Sequence, residues 1–306
     1  MDSITITSLI VEKFYRLLGH GCRLAFSALA PKRLSANRQM SDTNLVLFSG
    51  QRGAKMMQAV LLSIYRNWEK IPHLTVVSDG TPLPVLEASL RFWPFPYELK
   101  SWEDNAAWHL ARGRQSLVDF ARINPYARKL LVVLAEAELK PVFYCDTDVL
   151  WFDEPRLPVP APAPGFTMRI SHDGMHSYHP PALRWLNRGD LLEKPALNCG
   201  VLYLSGSVYE HYPGFEELMQ FMRIFNEPFA EQTTFALLAD RLGDTWTPEE
   251  IITTTADIRW PLLPRYLFSG NQLARHHVAT KKSWFWRDAL FIASSKHKKH
   301  PRAAIA

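Results

Sequence analysis

Cysteines are scarce in this chain, and no long apolar stretch is free of charged residues. The 306 residues include only Cys22, Cys145 and Cys199, an odd and widely spaced set without a metal-type CxxC pair. This usage argues against a disulfide framework and against a zinc ribbon, and it fits a reducing compartment. We therefore expect a cytoplasmic protein.

Excess charge is also small, with a formal net charge of +5 and 21% charged residues. No recognised nucleic-acid-binding motif and no internal repeat is present, so we expect no nucleic-acid partner. The positive excess lies mainly near the two ends, where it can contact an anionic membrane or an acidic substrate, or can simply be solvated. The residues are Lys32, Arg33, Arg38, Lys281, Lys282, Lys296, Lys298, Lys299 and Arg302.

The N-terminal segment lacks the run of about 18 apolar residues that a transmembrane helix needs, and no basic residue precedes its first apolar run, as a secretory signal would require. Gly19 and Gly21 weaken a helix here. We nevertheless expect an N-terminal appendage over 1–42, an amphipathic helix that lies on a membrane surface or on the domain itself. Its polar face would carry Glu12, Lys13, Arg16, His20 and Arg23, opposite Ile10, Phe14, Leu17 and Leu24.

The main domain is expected over 43–290, followed by a basic tail over 291–306. Asn44 to Ser49 reads as a strand, Met57 to Trp68 has helical apolar spacing, and Leu74 to Ser78 reads as a second strand that ends at Asp79 and Gly80. Strand, helix and strand within about 35 residues predict a βαβ unit, and hence an α/β domain with parallel strands.

A third predicted strand, beginning at Val142, ends in two carboxylates one residue apart, Asp146 and Asp148. The helix before it should start at Pro125, capped by Asn124, and stop before Pro141. Carboxylates beside a buried strand are costly unless they are paired, and a divalent cation is a suitable partner. A polar turn after the strand is the alternative.

Five landmarks in order now make the chain resemble the GT-A-fold glycosyltransferases that use nucleotide sugars, especially the glycogenin and lipopolysaccharide galactosyltransferase group. The resemblance covers about residues 44–288. It implies a GT-A-like (Rossmann-like) fold with a central mixed sheet flanked by helices. The landmarks are the loop after the first strand, Asp146-Thr147-Asp148, Asn198-Cys199-Gly200-Val201, Glu231-Gln232, and His276 followed by Lys282 and Trp284.

The resemblance implies that Asp146 and Asp148 bind Mn²⁺ or Mg²⁺ with His276 as a third ligand, and that Thr147 lies beside the donor. An imidazole next to two carboxylates favours Mn²⁺. His277 is the alternative ligand, and Ser283 stands where the family usually has proline.

The resemblance also implies roles around the donor. Lys129 and Lys282 would reach the donor phosphates. Asn198 and Gly200 would lie beside the donor sugar, and Glu231 and Gln232 near the anomeric carbon, with glutamate where many relatives have aspartate. The nucleotide would be held after the first two strands, by Ser49, Gly50, Arg52 and Asp79.

The implied activity is metal-dependent transfer of a sugar from a nucleotide-diphosphate donor, with a UDP-sugar as one candidate, to a hydroxyl of a glycan, lipid-linked or protein acceptor. Retention of the anomeric configuration is the family inference, and inversion with Glu231 as base stays open. Two rival hypotheses are a haloacid-dehalogenase-like Mg²⁺-dependent phosphatase, and a non-enzymatic membrane-associated module with the same fold.

Overall fold

The computed structural model describes residues 3–155, 165–225, 227–253, 272–278 and 282–295. The predicted basic tail over 291–306 is therefore described only as far as residue 295. The helices are α1 (Ser3–Leu29), α2 (Ala54–Asn67), α3 (Leu83–Leu90), α4 (Trp102–Leu110), α5 (Gln115–Ile123), α6 (Ala127–Leu139), α7 (Pro180–Trp185), α8 (Val208–His211), α9 (Phe215–Met222), α10 (Ala230–Leu242) and α11 (Lys282–Ser294), with a 3-10 helix at Gly189–Leu192.

The strands are β1 (Met40–Ser49), β2 (Ile71–Ser78), β3 (Tyr97–Ser101), β4 (Val142–Cys145), β5 (Val149–Trp151), β6 (Thr167–His172), β7 (Leu197–Ser205), β8 (Gly243–Thr245), β9 (Ile251–Thr253) and β10 (Ala274–His276). Among the described residues, seven of them form one sheet in the order β3-β2-β1-β4-β7-β6-β8. Strands β3, β2, β1 and β4 are parallel, whereas β7 runs antiparallel to both β4 and β6. The prediction of a mixed α/β sheet that contains a βαβ unit is confirmed.

Side chains alternate between two hydrophobic cores, one on each face of this sheet. On β1, Leu45 and Leu47 pack with α2, α3 and α11, whereas Val46 faces the core built by α4, α5, α6, α9 and α10. On β4, Tyr144 faces the same core as Val46, and Phe143 faces the same core as Leu45. Successive residues of a strand point to opposite faces, so a continuous apolar strand must be covered on both sides.

Two short stretches differ from their sequence-based expectation. Helix α6 begins at Ala127 instead of Pro125, although Asn124 Oδ1 still accepts from the backbone N–H groups of Tyr126 and Ala127 at 3.0 and 3.4 Å. The apolar run from Val201 to Leu204 predicts a strand with residues 198–200 ahead of it. These three residues lie inside β7 instead, because β7 pairs with β6 as far back as Leu197.

The N-terminal segment is helical and packs on the domain. In α1, Tyr15 and Phe26 contact Trp284 and Trp286 of α11, with ring centroids 5.0 and 5.7 Å apart. A Cβ on Gly19 would lie 2.6 Å from Ser283 Cα, so the missing side chain lets the two helices approach closely. No described helix is both long and apolar enough to span a bilayer.

A second sheet links the loop after β4 to the C-terminal part of the chain. Strand β10 pairs antiparallel with β5 and parallel with β9, which sets His276 opposite Val149. Trp151 of β5 is fully buried, and its ring centroid lies 5.2 Å from those of both Trp68 and Phe143. These edge-on aromatic contacts attach the second sheet to the main core.

Replacing Trp151 by alanine should lower the free energy of unfolding by about 3–5 kcal/mol, because a large aromatic side chain leaves a cavity in a packed core. Chemical denaturation measures the change. Trp185 is the matched control because it is 67% exposed, and its replacement by alanine should cost only about 1 kcal/mol through the lost stacking on Phe221. Equal losses at the two positions would contradict the placement of Trp151.

Candidate active site

Asp146 and Asp148 lie in the turn between β4 and β5, and backbone bonds from two directions fix that turn. The Asp146 N–H donates to the Gly200 carbonyl of β7 at 2.8 Å, and the Asp148 carbonyl accepts from the His277 N–H at 3.0 Å. The Val149 N–H closes the turn by donating to the Asp146 carbonyl at 3.2 Å. Backbone groups from two different sheets, Gly200 of the first and His277 beside the second, therefore position the two carboxylates.

His276 completes a cluster with these aspartates. Its Nε2 lies 3.1 Å from Asp148 Oδ1 and 3.8 Å from Asp146 Oδ2, and one ligand atom of each of the three residues lies within 4.8 Å of the others. Two carboxylates and an imidazole form a donor set suited to a divalent cation such as Mn²⁺. Burial lowers the pKa of His276, but Asp148 and Asp146 more than offset this, so its pKa lies above the ordinary value.

His277, the alternative ligand, points elsewhere. Its Nε2 lies 3.2 Å from Asp288 Oδ2 of α11, and its Nδ1 lies 3.3 Å from the backbone carbonyl of Asp148. Arg275 also donates to Asp288 Oδ2, at 2.6 Å. The geometry thus groups His276, and not His277, with the two carboxylates, while its neighbours on both sides are tied to α11.

Gly200 leaves the space that the His276 ring occupies. A Cβ at this position of β7 would overlap the imidazole. Any larger residue would push the ring away from Asp146 and Asp148, so the glycine of the Asn-Cys-Gly sequence has a steric role in the cluster.

Lys129 lies on the other side of Asp146, in a buried group of polar side chains. Its Nζ lies 3.0 Å from Glu231 Oε1, 3.1 Å from Cys199 Sγ and 3.6 Å from Asp146 Oδ2. Burial lowers the pKa of Lys129, but Asp146, Cys199 and Glu231 raise it well above its ordinary value. The ammonium group therefore stays charged between Asp146 and Glu231.

Glu231 and Gln232 begin α10 and face β7. Burial raises the pKa of Glu231, and Lys129 opposes that shift. Gln232 Nε2 donates to the Leu197 carbonyl at 3.1 Å, and its Oε1 lies 3.5 Å from Cys199 Sγ. Both residues are therefore fixed against the strand that carries Asn198 and Gly200.

Asn198 spans the start of the same strand. Its Oδ1 accepts from the Gly200 N–H at 2.7 Å, and its Nδ2 donates to Asp173 Oδ2 at 2.7 Å. The side chain thus braces the backbone at Gly200 and reaches the segment after β6.

The loop after β1 meets the Asp-x-Asp turn through glycines. A Cβ on Gly53 would lie 3.2 Å from Thr147 Oγ1 and 3.0 Å from Ser49 Oγ, and a Cβ on Gly50 would overlap the Asp79 carboxylate. The Asp79 N–H donates to the Ser49 carbonyl at 3.1 Å. The structure therefore brings Ser49, Gly50, Thr147 and Asp79 to one edge of the sheet.

The described contacts of this group do not include two of the predicted residues. Arg52 lies within the loop after β1, and its side chain is exposed. Lys282 is the first residue of α11, and its side chain lies outside the described part of the chain. Trp284, the last landmark of the series, packs on Tyr15 of α1.

Sequence reasoning missed several contacts of the site. Tyr144 Oη donates to Asp146 Oδ1 at 2.5 Å, and Arg128 Nη1 donates to the Asp79 carbonyl at 2.6 Å. The contacts of Cys199 with Lys129 and of Asp173 with Asn198 were also missed. Tyr144 could have been found by alternation, since it lies two residues before Asp146. Asp173 carries no local signal, because only the pairing of β6 with β7 brings it to Asn198.

Replacing Gly200 by alanine should lower the affinity for Mn²⁺ roughly 10- to 100-fold, the usual cost of displacing a metal-ligating side chain. Isothermal titration calorimetry measures it. Gly21 is the matched control because nothing lies within 4 Å of a Cβ added there, so its replacement should leave Mn²⁺ binding unchanged. An unaltered affinity in the Gly200 variant would remove His276 from the ligand set.

Comparison with known proteins gives matches in structure. No protein-family model and no curated protein sequence matches the chain. Mouse xyloside xylosyltransferase 1 superposes with a TM-score of 0.54 at 13% identity, over 79% of this chain and 99% of that one. The bifunctional glycosyltransferase WbbM gives 0.56 at 13% identity, over 86% of this chain but only 51% of that one.

An active-site mutant of the galactosyltransferase LgtC gives a TM-score of 0.50 at 12% identity, over 82% of this chain and 95% of that one. These identities are too low to transfer a substrate, but the shared architecture covers most of the described chain. The chain therefore has the GT-A fold of nucleotide-sugar glycosyltransferases, with an Asp-x-Asp motif at the end of β4.

Proposed function

We propose that this protein is an enzyme that transfers a sugar from a nucleotide-diphosphate donor to a hydroxyl acceptor, with the help of a divalent cation and with retention of configuration. The observation that carries the proposal is the cluster of Asp146, Asp148 and His276, placed beside Lys129 at the carboxyl end of β4. In α/β sheets, ligands bind outside the carboxyl ends of the strands.

The charges of the site support a cation and a diphosphate. Lys129 Nζ lies 3.0 Å from Glu231 and 3.6 Å from Asp146, whereas Asp148 lies 3.1 Å from His276 Nε2. Carboxylates brought together in a partly buried site are costly unless positive charge balances them, and a divalent cation would add to the charge that Lys129 provides. Asp146, Asp148 and His276 would hold Mn²⁺ or Mg²⁺, which supplies a Lewis acid for the charge that develops on the leaving diphosphate.

The chain's own residues would then place the donor. Lys129 and Lys282 would act as point charges toward the phosphates. Ser49, Gly50, Arg52 and Asp79 would hold the nucleotide, with Thr147 lining the same edge. The donor sugar would lie against Asn198 and Gly200. We propose a UDP-sugar as donor and a glycan, lipid-linked or protein hydroxyl as acceptor.

The position of Glu231 supports retention over inversion. A base must come within about 3 Å of the acceptor hydroxyl that it deprotonates. Glu231 is only 4% exposed, one of its oxygens lies 3.0 Å from Lys129 Nζ, and both lie 3.5 Å from Cys199 Sγ. Its contacts are directed into the protein, so we propose that Glu231 positions Lys129 and that Gln232 steadies the anomeric region.

Nothing in the described site favours the phosphatase hypothesis. A nucleophilic Asp146 would need a carboxylate open to the phosphorus atom, whereas Asp146 accepts from Tyr144 and faces Lys129 and His276. The three cysteines are unpaired thiols, which agrees with the proposed cytoplasmic location.

Replacing Asp148 by asparagine should weaken Mn²⁺-dependent binding of the donor about a hundredfold, because a charged ligand is lost while the shape is kept. A panel of nucleotide sugars, screened for Mn²⁺-dependent thermal stabilisation, first identifies the donor, and calorimetry then measures its affinity. Asp244 is the matched control, since its side chain is 72% exposed and its replacement by asparagine should change nothing. If no nucleotide sugar binds and none is turned over, the protein is a non-enzymatic module and the proposal fails.

The stereochemistry is tested by NMR of the product formed from the identified donor. We expect the anomeric configuration of the donor to be retained, because Glu231 is engaged with Lys129 instead of the acceptor. Replacing Glu231 by glutamine should reduce turnover without changing the configuration. An inverted product would make Glu231 the base and overturn the retaining mechanism.

A further inference from the structure

Helix α1 leaves a wide apolar face uncovered. Phe14, Leu17 and Leu24 are 56%, 73% and 59% exposed, and Leu18 and Leu29 lie on the same side at 36% and 59%. Phe14 lies three residues before Leu17 and four before Leu18, and Leu24 follows Leu17 by seven residues, or two turns, so these side chains share one side of the helix. We call this stripe, Phe14, Leu17, Leu18, Leu24 and Leu29, the α1 ridge. Exposed apolar patches of this kind on a folded domain mark a surface that binds something.

The ridge is not the face by which α1 is held to the domain. Tyr15, Gly19, Cys22 and Phe26 form that other face, and they pack toward Trp284, Ser283 and Trp286 of α11. Because one side of α1 is already occupied by the domain, the ridge points away from it. The sequence left a membrane and the domain itself open as the surface under this helix. The helix packs on the domain through its other face, and Phe14, Leu17 and Leu24 stay exposed.

Glu12 precedes the ridge, and from Lys13 onward the lysines and arginines beside it have no acidic neighbour in the segment. The segment from Lys13 to Gln39 contains six lysines and arginines and no aspartate or glutamate. Lys13 and His20 precede Leu17 and Leu24 by one helical turn each, and both are exposed, as are Lys32 and Arg33 after the helix. An apolar stripe bordered by basic residues is complementary to a lipid surface that offers acyl chains below anionic headgroups.

We propose that the α1 ridge docks this protein on the surface of an anionic lipid bilayer, with the helix in the plane of the interface. Leu17, Leu24 and Phe14 would enter the boundary between headgroups and acyl chains. The amino groups of Lys13 and Lys32 would stay at the level of the lipid phosphates, because long basic side chains extend to the polar layer.

The contact between α1 and α11 would fix the orientation of the docked protein relative to the bilayer. Helix α11 carries Asp288, which accepts from Arg275 at 2.6 Å and lies 3.2 Å from His277 Nε2, and these two residues flank His276. Packed contacts therefore run from the other face of α1 through α11 to the strand that holds the candidate metal ligand. Docking would present the Asp146, Asp148 and His276 cluster at a fixed orientation to the bilayer.

The test uses the full chain and vesicles of equal parts phosphatidylglycerol and phosphatidylcholine, compared with vesicles of phosphatidylcholine alone, in a sedimentation assay. We expect binding to the anionic vesicles that weakens in high salt, since salt screens the headgroup charges. Replacing Leu17 and Leu24 together by serine should lower the partition coefficient about tenfold for each leucine. Replacing Lys13 and Lys32 by glutamine should lower it about fivefold for each charge.

The matched control is the pair Leu110→Ser and Leu139→Ser, because these leucines are 37% and 50% exposed on α4 and α6, away from the ridge. This variant should bind vesicles like the unaltered chain, and circular dichroism should show all three double variants folded. Vesicle binding that ignores Leu17 and Leu24 overturns the proposal. The proposal is also overturned if the chain does not bind vesicles and instead forms a dimer, seen by light scattering, that the Leu17 and Leu24 changes dissociate. Neither result depends on glycosyl transfer, so this inference can fail while the proposed function stands.

Discussion

The charge cluster at the end of β4 is the constraint on which the rest of the site depends. Asp146 and Asp148 come from one turn and His276 from strand β10, and they can meet only because β4 pairs with β7 while β5 pairs with β10. Lys129 holds the opposite side of Asp146 from α6. Acidic groups brought this close beside a buried strand need compensating positive charge, and Lys129 contributes to it among the described residues.

Glycines leave the space that polar side chains of the site occupy. Gly200 lies in β7, where a side chain would occupy the position of the His276 ring, and Gly50 lies where a side chain would occupy that of Asp79. Both positions combine a backbone that must follow a strand or turn with a polar side chain that approaches from another element. At Gly19, away from the site, the missing side chain likewise lets helices α1 and α11 approach closely.

Strand β10, which carries His276, also connects the site to helices α11 and α1. Asp288 ties Arg275 and His277 to α11, and α11 in turn seats α1. The N-terminal helix is therefore attached to the same body as the candidate site, although about a hundred residues or more separate it in sequence from every residue of the metal cluster. If the α1 ridge binds a membrane, this attachment is what relates the membrane to the site.

The βαβ unit and the Asp-x-Asp strand could be predicted from the sequence because their signals are local. Apolar periodicity distinguishes β1, α2 and β2, and two carboxylates after a buried run stand out without any structure. The choice between His276 and His277 could not be made this way, since adjacent residues of a strand point in opposite directions and the register of β10 on β5 decides which one faces the carboxylates.

The amino-acid sequence by itself determined the type of sheet, the position of the two aspartates at a strand end and the order of the landmarks. Only the tertiary structure decided that Lys129 contacts Glu231 and Cys199, that Asn198 reaches Asp173, and that the apolar residues of α1 are divided between a face on the domain and a ridge in solvent. Local patterns specify which face of an element is apolar, whereas long-range pairing and packing specify what that face meets.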